Sequence, residues 1–153
     1  MLRRRFLNGL AAGAAVSVAW PAMGAEKPWQ PASPSHEAFM TRAIDLSRIG
    51  VKRGDGTPYG AVVVRRGVII GEGWNRTSVK FDPTAHAEIE AIQAATRYLE
   101  RRDLAGCVLY TNGGRPCPMC EGGAYYARLD RIYHAHAAAD ITDAGPPQMT
   151  YCS

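Results

Sequence analysis

Four side chains in two short motifs carry the chemistry of this chain: His86 and Glu88 in His86-Ala87-Glu88, and two thiols in Pro116-Cys117-Pro118-Met119-Cys120, about thirty residues later. One imidazole and two thiolates form a zinc donor set that stops one ligand short of tetrahedral closure. The open position admits water, which marks a catalytic rather than a structural zinc site. On this reading His86, Cys117 and Cys120 hold one Zn2+ per subunit, and Glu88 stays free to carry that water's protons. Cys117 and Cys120 are three apart and share a helical face, and a helix start favours thiolates by placing partial positive charge beside the sulfur. His86 and Glu88 are two apart, so they serve one site only if His86 lies at the non-helical lip of its helix.

Each half alone is ordinary. A Cys-x-x-Cys at a helix start after a strand also suits an exported thiol-disulfide protein, and a zinc site can be a binding module without turnover. The order, the spacing and the strand-to-helix setting of both halves favour catalytic zinc, because a redox pair leaves His86 and Glu88 without a role.

The elements that must position these groups are readable from periodicity. Phe39, Ala43, Leu46 and Gly50 fall at helical spacing behind Ser35, a candidate N-cap, with His36 on the exposed side. After the turn cluster Gly54-Asp55-Gly56-Thr57-Pro58, the runs from Tyr59 to Val64 and from Val68 to Trp74 read as a hairpin around Arg65-Arg66-Gly67. Thr84 to Leu99 is helical, with Asp82 or Thr84 as cap and Pro83 in the first turn, which puts His86 and Glu88 in its opening. Cys107 to Thr111 is a strand, Cys117 to Arg128 a helix, and Arg131 to His136 another strand. Strand, helix, strand, helix, strand predicts an α/β layered sheet with parallel crossovers. His134 and His136 alternate on the last strand and so point to one face, as a surface pair or as part of a pocket mouth. Cys107 reads as a buried thiol, and Cys152 as free or bridged to it.

At 153 residues the chain has room for one domain with a proper core. Arg3-Arg4-Arg5 before an alanine-rich apolar run from Leu10 to Trp20, then Ala22-Met23-Gly24-Ala25, predicts an export signal over 1–25. The run is too short for a stable membrane anchor. Arg3-Arg4-Arg5-Phe6-Leu7-Asn8 resembles a twin-arginine signal, which implies a bacterial protein exported folded and metal-loaded, in the periplasm. Three prolines over 26–34 favour an extended linker, and the zinc-dependent domain is expected over 35–153. Loss of the leader would leave fifteen of the eighteen basic residues against fourteen acidic ones. The overall charge then carries no footprint for nucleic acid, and a small-molecule partner is expected instead.

The pairing of H-x-E with P-C-x-x-C is the zinc nucleobase deaminase signature. From Tyr59 to about Gly145 the chain resembles the cytidine deaminase fold superfamily, in its guanine deaminase-like and nucleoside deaminase branch. The resemblance rests on Pro58-Tyr59-Gly60-Ala61-Val62-Val63, Gly73-Trp74-Asn75, the run from Asp82 to Glu88, and Pro116-Cys117-Pro118-Met119-Cys120. It implies a three-layer fold with a mixed sheet of about five strands between helices, a homodimer, and hydrolytic deamination of a guanine-like or related small heterocycle with release of ammonia. It also implies substrate contacts from Asn75 and from the backbone of Ala87, with Glu88 as proton shuttle. Asp140-Ile141-Thr142-Asp143-Ala144-Gly145 resembles the same branch. Two departures follow: Arg115 stands where that branch has a glutamate, in a loop one residue longer, and Pro146-Pro147-Gln148 replaces the segment that helps close a purine site.

Overall fold

The computed structural model describes residues 27–137 and 141–147. The expected export signal and Cys152 lie outside the described residues. Helix α1 (His36–Arg53) is capped by Ser35, whose Oγ accepts from the Ala38 N–H at 3.1 Å, and ends at Gly54 in the left-handed conformation. Strands β1 (Gly60–Arg65) and β2 (Val68–Trp74) form the hairpin, turning through Arg66 and Gly67. Then come a short helix α2 (Thr77–Lys80), α3 (Ala87–Tyr98), β3 (Cys107–Asn112), α4 (Pro118–Tyr126), β4 (Arg131–Ala135) and β5 (Thr142–Gly145). No helix among the described residues is long and apolar enough to cross a membrane.

The sheet order is β2-β1-β3-β4-β5. Strand β1 is antiparallel to both β2 and β3, and β3 is parallel to β4. It follows that β2 and β3 run parallel with β1 between them. Both helical connections, α3 and α4, are therefore parallel crossovers, as the strand-helix alternation predicts, and β5 adds an antiparallel edge.

Two apolar layers sandwich this sheet. On one side Phe39, Met40, Ala43 and Leu46 of α1 pack on Val62, Val64 and Tyr110. On the other, Ala87, Ala91 and Ala95 of α3 and Ala124 of α4 pack on Ala61, Val63, Leu109 and Ile132. The α3 seam is unusually close: a Cβ at Gly71 or Gly73 would come within 2.4 Å of the Ala91 backbone. Glycine on β2 facing alanine every fourth residue on α3 lets helix and sheet backbones approach, which fixes the position of the residues at the head of α3.

Several expected boundaries move. Helix α3 starts at Ala87 rather than Thr84, because Asp82 closes a local turn instead of capping a helix: its Oδ1 accepts from the Thr84 N–H and Oγ1 at 2.8 and 2.6 Å. Helix α4 ends at Tyr126, two residues short of Arg128. Strand β4 ends at Ala135, so His136 lies beyond it, exposed, and does not share a strand face with His134. The residues 27–34 carry no helix or strand, as an extended linker would, yet they are docked. Gln30 donates to the Ile69 carbonyl at 2.6 Å and accepts from the Ile69 N–H at 2.9 Å, pairing the outer edge of β2.

Candidate metal centre

The two motifs meet where α3 and α4 begin. His86 is the N-cap residue of α3, with extended backbone (φ −71°, ψ 155°), and Cys117 occupies the same position on α4 (φ −65°, ψ 161°). His86 is thus at the non-helical lip that its spacing from Glu88 requires. Cys120 lies one turn into α4 and is completely buried.

The ligand atoms of His86, Cys117 and Cys120 all lie within 4.8 Å of one another. The Cys117 and Cys120 sulfurs are 3.5 Å apart, and His86 Nδ1 is 3.7 Å from the first and 3.5 Å from the second. Tetrahedral zinc, with bonds of about 2.3 Å to sulfur and about 2.0 Å to nitrogen, sets sulfur–sulfur edges of about 3.8 Å and sulfur–nitrogen edges of about 3.5 Å. The three residues therefore fit zinc. A disulfide does not describe the pair, since its sulfurs would sit about 2.05 Å apart. Without a cation, burial and the adjacent Glu88 carboxylate push the Cys120 thiol up, against the expectation that the helix start lowers it. Only a bound cation lets this buried sulfur serve as a thiolate.

Glu88 is buried on the second residue of α3. Its Oε1 accepts from Thr111 Oγ1 at 2.9 Å, and its Oε2 lies 3.5 Å from Cys120 Sγ. Thr111 is buried near the carboxyl end of β3, the end of a parallel strand at which α/β sheets place their sites.

A cavity of about 320 Å³ opens onto this group, lined by His86, Glu88, Cys117, Asn75, Tyr59 and the loop from Asn112 to Pro116, with Thr57 at its wall. Asn75 is buried, and its Oδ1 accepts from Thr57 N–H (3.3 Å), Thr77 N–H (3.2 Å) and Thr77 Oγ1 (2.8 Å). Two backbone donors fix the amide's orientation, so its NH2 is the group left for the cavity. Ala87 does not line the cavity. Its methyl is in the core, and what it can give a ligand is its backbone N–H, unpaired at the helix start. His134 and His136 are likewise absent from the lining.

The walls are tied down from outside. Asp55 accepts from the Trp74 indole at 2.6 Å, and its carbonyl takes the N–H groups of Ser78 and Val79. Lys80 and Arg76 pair with Glu90 on the first turn of α3. Asn112 spans two loops, accepting from Gly60 N–H at 2.5 Å and donating to the Pro58 carbonyl at 3.2 Å.

Sequence reasoning singled out His86, Cys117, Cys120, Glu88 and Asn75, which the structure brings together around this cavity. It missed Thr111, Tyr59 and Asn112. For Thr111 a signal existed: it shares strand parity with Cys107 and Leu109, whose side chains face α3 and α4.

Comparison with known proteins agrees with this geometry. Residues 33–136 match the family described as the cytidine and deoxycytidylate deaminase zinc-binding region. The chain is similar to a guanine deaminase of Bacillus subtilis, 45% identical over 111 residues that cover 72% of this chain and 70% of that one. It is also similar to a tRNA-specific adenosine deaminase of Buchnera aphidicola, 39% identical over 64% of this chain and 59% of that one. The crystal structure of the Bacillus subtilis guanine deaminase superposes with a TM-score of 0.62 over 67% of this chain and 64% of that one. A guanine deaminase from Nitrosomonas europaea, 32% identical, superposes with a TM-score of 0.62 over 72% and 62%.

Proposed function

Because the chain belongs to the cytidine and deoxycytidylate deaminase zinc-binding family, we propose that it hydrolyses the exocyclic amine of a small amino-substituted nucleobase or nucleoside, guanine-like or related. Water replaces the amine, leaving a ring carbonyl and releasing ammonia. The observation that carries this reading is the convergence of His86, Cys117 and Cys120 within 4.8 Å, with Glu88 beside them, on one small-molecule-sized cavity.

His86, Cys117 and Cys120 would hold the zinc, which when bound supplies a Lewis acid that makes water a competent nucleophile at neutral pH. Glu88 does the proton work. Its Oε2 side faces the ligand cluster and takes the proton of the attacking water, while Thr111 holds Oε1 and so fixes the plane of the carboxylate. Glu88 passes that proton to the ring nitrogen beside the reacting carbon, then takes the second proton from the hydroxyl added to that carbon and delivers it to the departing amine, which leaves as ammonia. Asn75 donates its free N–H to an acceptor on the ring, and the Ala87 N–H offers a second donor at the head of α3. The loop of Gly113 and Gly114, and Tyr59, whose ring lies against Gly113, form the opposite wall of the cavity.

A small molecule is favoured over transfer RNA by the near-neutral charge of the chain without its leader and by the export signal. Residues 1–25 would direct folded, zinc-loaded protein through the twin-arginine route to the periplasm, leaving the linker over 26–34 and the deaminase domain over 35–153 as the mature chain. A homodimer is also proposed; exposed Met119, Tyr125 and Tyr126 on α4 supply apolar surface for a second copy.

The test is ammonia release by leaderless, zinc-loaded protein across guanine, cytosine, adenosine, cytidine and pterins. Turnover of one class, lost in Glu88→Gln with zinc content unchanged, supports the reading. Stoichiometric zinc with no turnover across the panel favours a binding module, and zinc-free protein with a reversible Cys117–Cys120 disulfide favours the thiol-disulfide alternative.

A further inference from the structure

We propose that Arg115 makes the cavity mouth a seat for an oxyanion on the substrate, a carboxylate or phosphate carried by the amino-heterocycle; this rests on the deaminase reading above. Arg115 lies in the loop that lines the cavity with His86 and Glu88. Its Nη2 donates to Glu121 Oε1 at 2.7 Å. The Glu121 side chain is 5% exposed and the Arg115 side chain 53%. The pair is therefore an oriented dipole, with its negative end sunk in α4 and its positive end on the open side. One guanidinium N–H is engaged with Glu121, and the remaining donors of the fork have no protein partner among the described hydrogen bonds.

The rest of the lining points the same way. Glu88 is its only carboxylate and Arg115 its only arginine or lysine among the described residues. Asn75 turns its NH2 to the cavity, and both amide atoms of Asn112 are engaged by backbone. Away from the reacting centre the walls thus offer donors and no spare carboxylate to read a ring N–H. A half-exposed guanidinium on the cavity wall with donors to spare can hold a carboxylate or phosphate bidentately.

The test compares kcat/KM within matched pairs on zinc-loaded protein: cytidine against cytidine 5′-monophosphate for the phosphate arm, and pterin against pterin-6-carboxylate for the carboxylate arm. The expected result is a preference of tenfold or more for the anionic member in one arm, falling to near unity in Arg115→Gln. Because that variant strands the buried Glu121 carboxylate, the pair Arg115→Gln with Glu121→Gln repeats the measurement with charge balance restored. Titration calorimetry of the same compounds separates the two readings. Arg115-dependent binding of an anionic member without turnover overturns the deaminase assignment and leaves the oxyanion seat standing. Turnover with no anionic preference in either arm, or a preference that survives both variants, overturns the seat; absence of both binding and turnover overturns both.

Discussion

Thr111 Oγ1 donates a 2.9 Å hydrogen bond to Glu88 Oε1, and both residues are buried. On the proposed mechanism Glu88 takes protons from one direction and delivers them in another, which needs the plane of its carboxylate fixed. Thr111→Val removes the donor while keeping shape. A hydrogen bond to a charged group is worth about 1.5–3 kcal/mol, so kcat should fall roughly 10- to 100-fold. Zinc content and KM should hold, and Thr111→Ser should restore most of the loss. A variant whose KM rises instead, or that serine does not rescue, would assign Thr111 a packing role.

The cluster of His86, Cys117 and Cys120 with Glu88 beside it was legible in the sequence because metal chemistry demands particular residue types at particular spacings. The strand parity of Thr111 was legible but its bond to Glu88 was not, because the two are 23 residues apart and only the β3–α3 packing brings them together. Asn75 was readable as a contact by resemblance, but not the three donors that aim its amide. Helix α2, four residues with none buried, has no apolar period to read. Strand β5, also four residues and at the sheet edge, lacks the alternation that marks a half-buried strand. His136 shows the opposite error: alternation placed it on a strand that ends one residue earlier.

Chelation should separate the cysteines. The zinc thiolates are protected while the metal is bound, and Cys107 is shielded by complete burial, which also pushes its thiol up. In a Cys152→Ser background, removal of zinc should add two thiols reactive to a chromogenic disulfide, Cys117 before the fully buried Cys120. It should also lower Tm, since binding free energy of the metal is folding free energy. An unchanged thiol count after chelation would count against the metal centre.

The hold of Asn75 on its loop can be separated from the substrate contact proposed for it. Asn75→Asp keeps an oxygen for Thr57 and Thr77 but replaces the NH2 donor with a second acceptor. The expected outcome is a kcat/KM lower by about tenfold or more with Tm nearly unchanged, whereas Asn75→Ala should lower both, through the stranded backbone donors. Equal Tm losses in the two variants would mean that the amide serves only the loop.

The glycines of β2 and α4 make opposite predictions. At Gly73 a Cβ would lie 2.4 Å from the Ala91 N and 2.5 Å from the Ala87 carbonyl oxygen, both backbone atoms of the helix that carries Glu88. Gly73→Ala must push α3 off the sheet, costing roughly 1–3 kcal/mol as an overpacked core does. At Gly122 in α4 a Cβ would meet nothing within 4 Å, so Gly122→Ala should stabilise by up to about 1 kcal/mol through helix propensity alone. Thermal melts of the zinc-loaded proteins should therefore move in opposite directions. Activity should fall in Gly73→Ala even at temperatures where it stays folded, because a shifted α3 moves His86 and Glu88 relative to the two cysteines on α4. If Gly73→Ala melts like the parent protein, the close α3 seam does not set the position of the site.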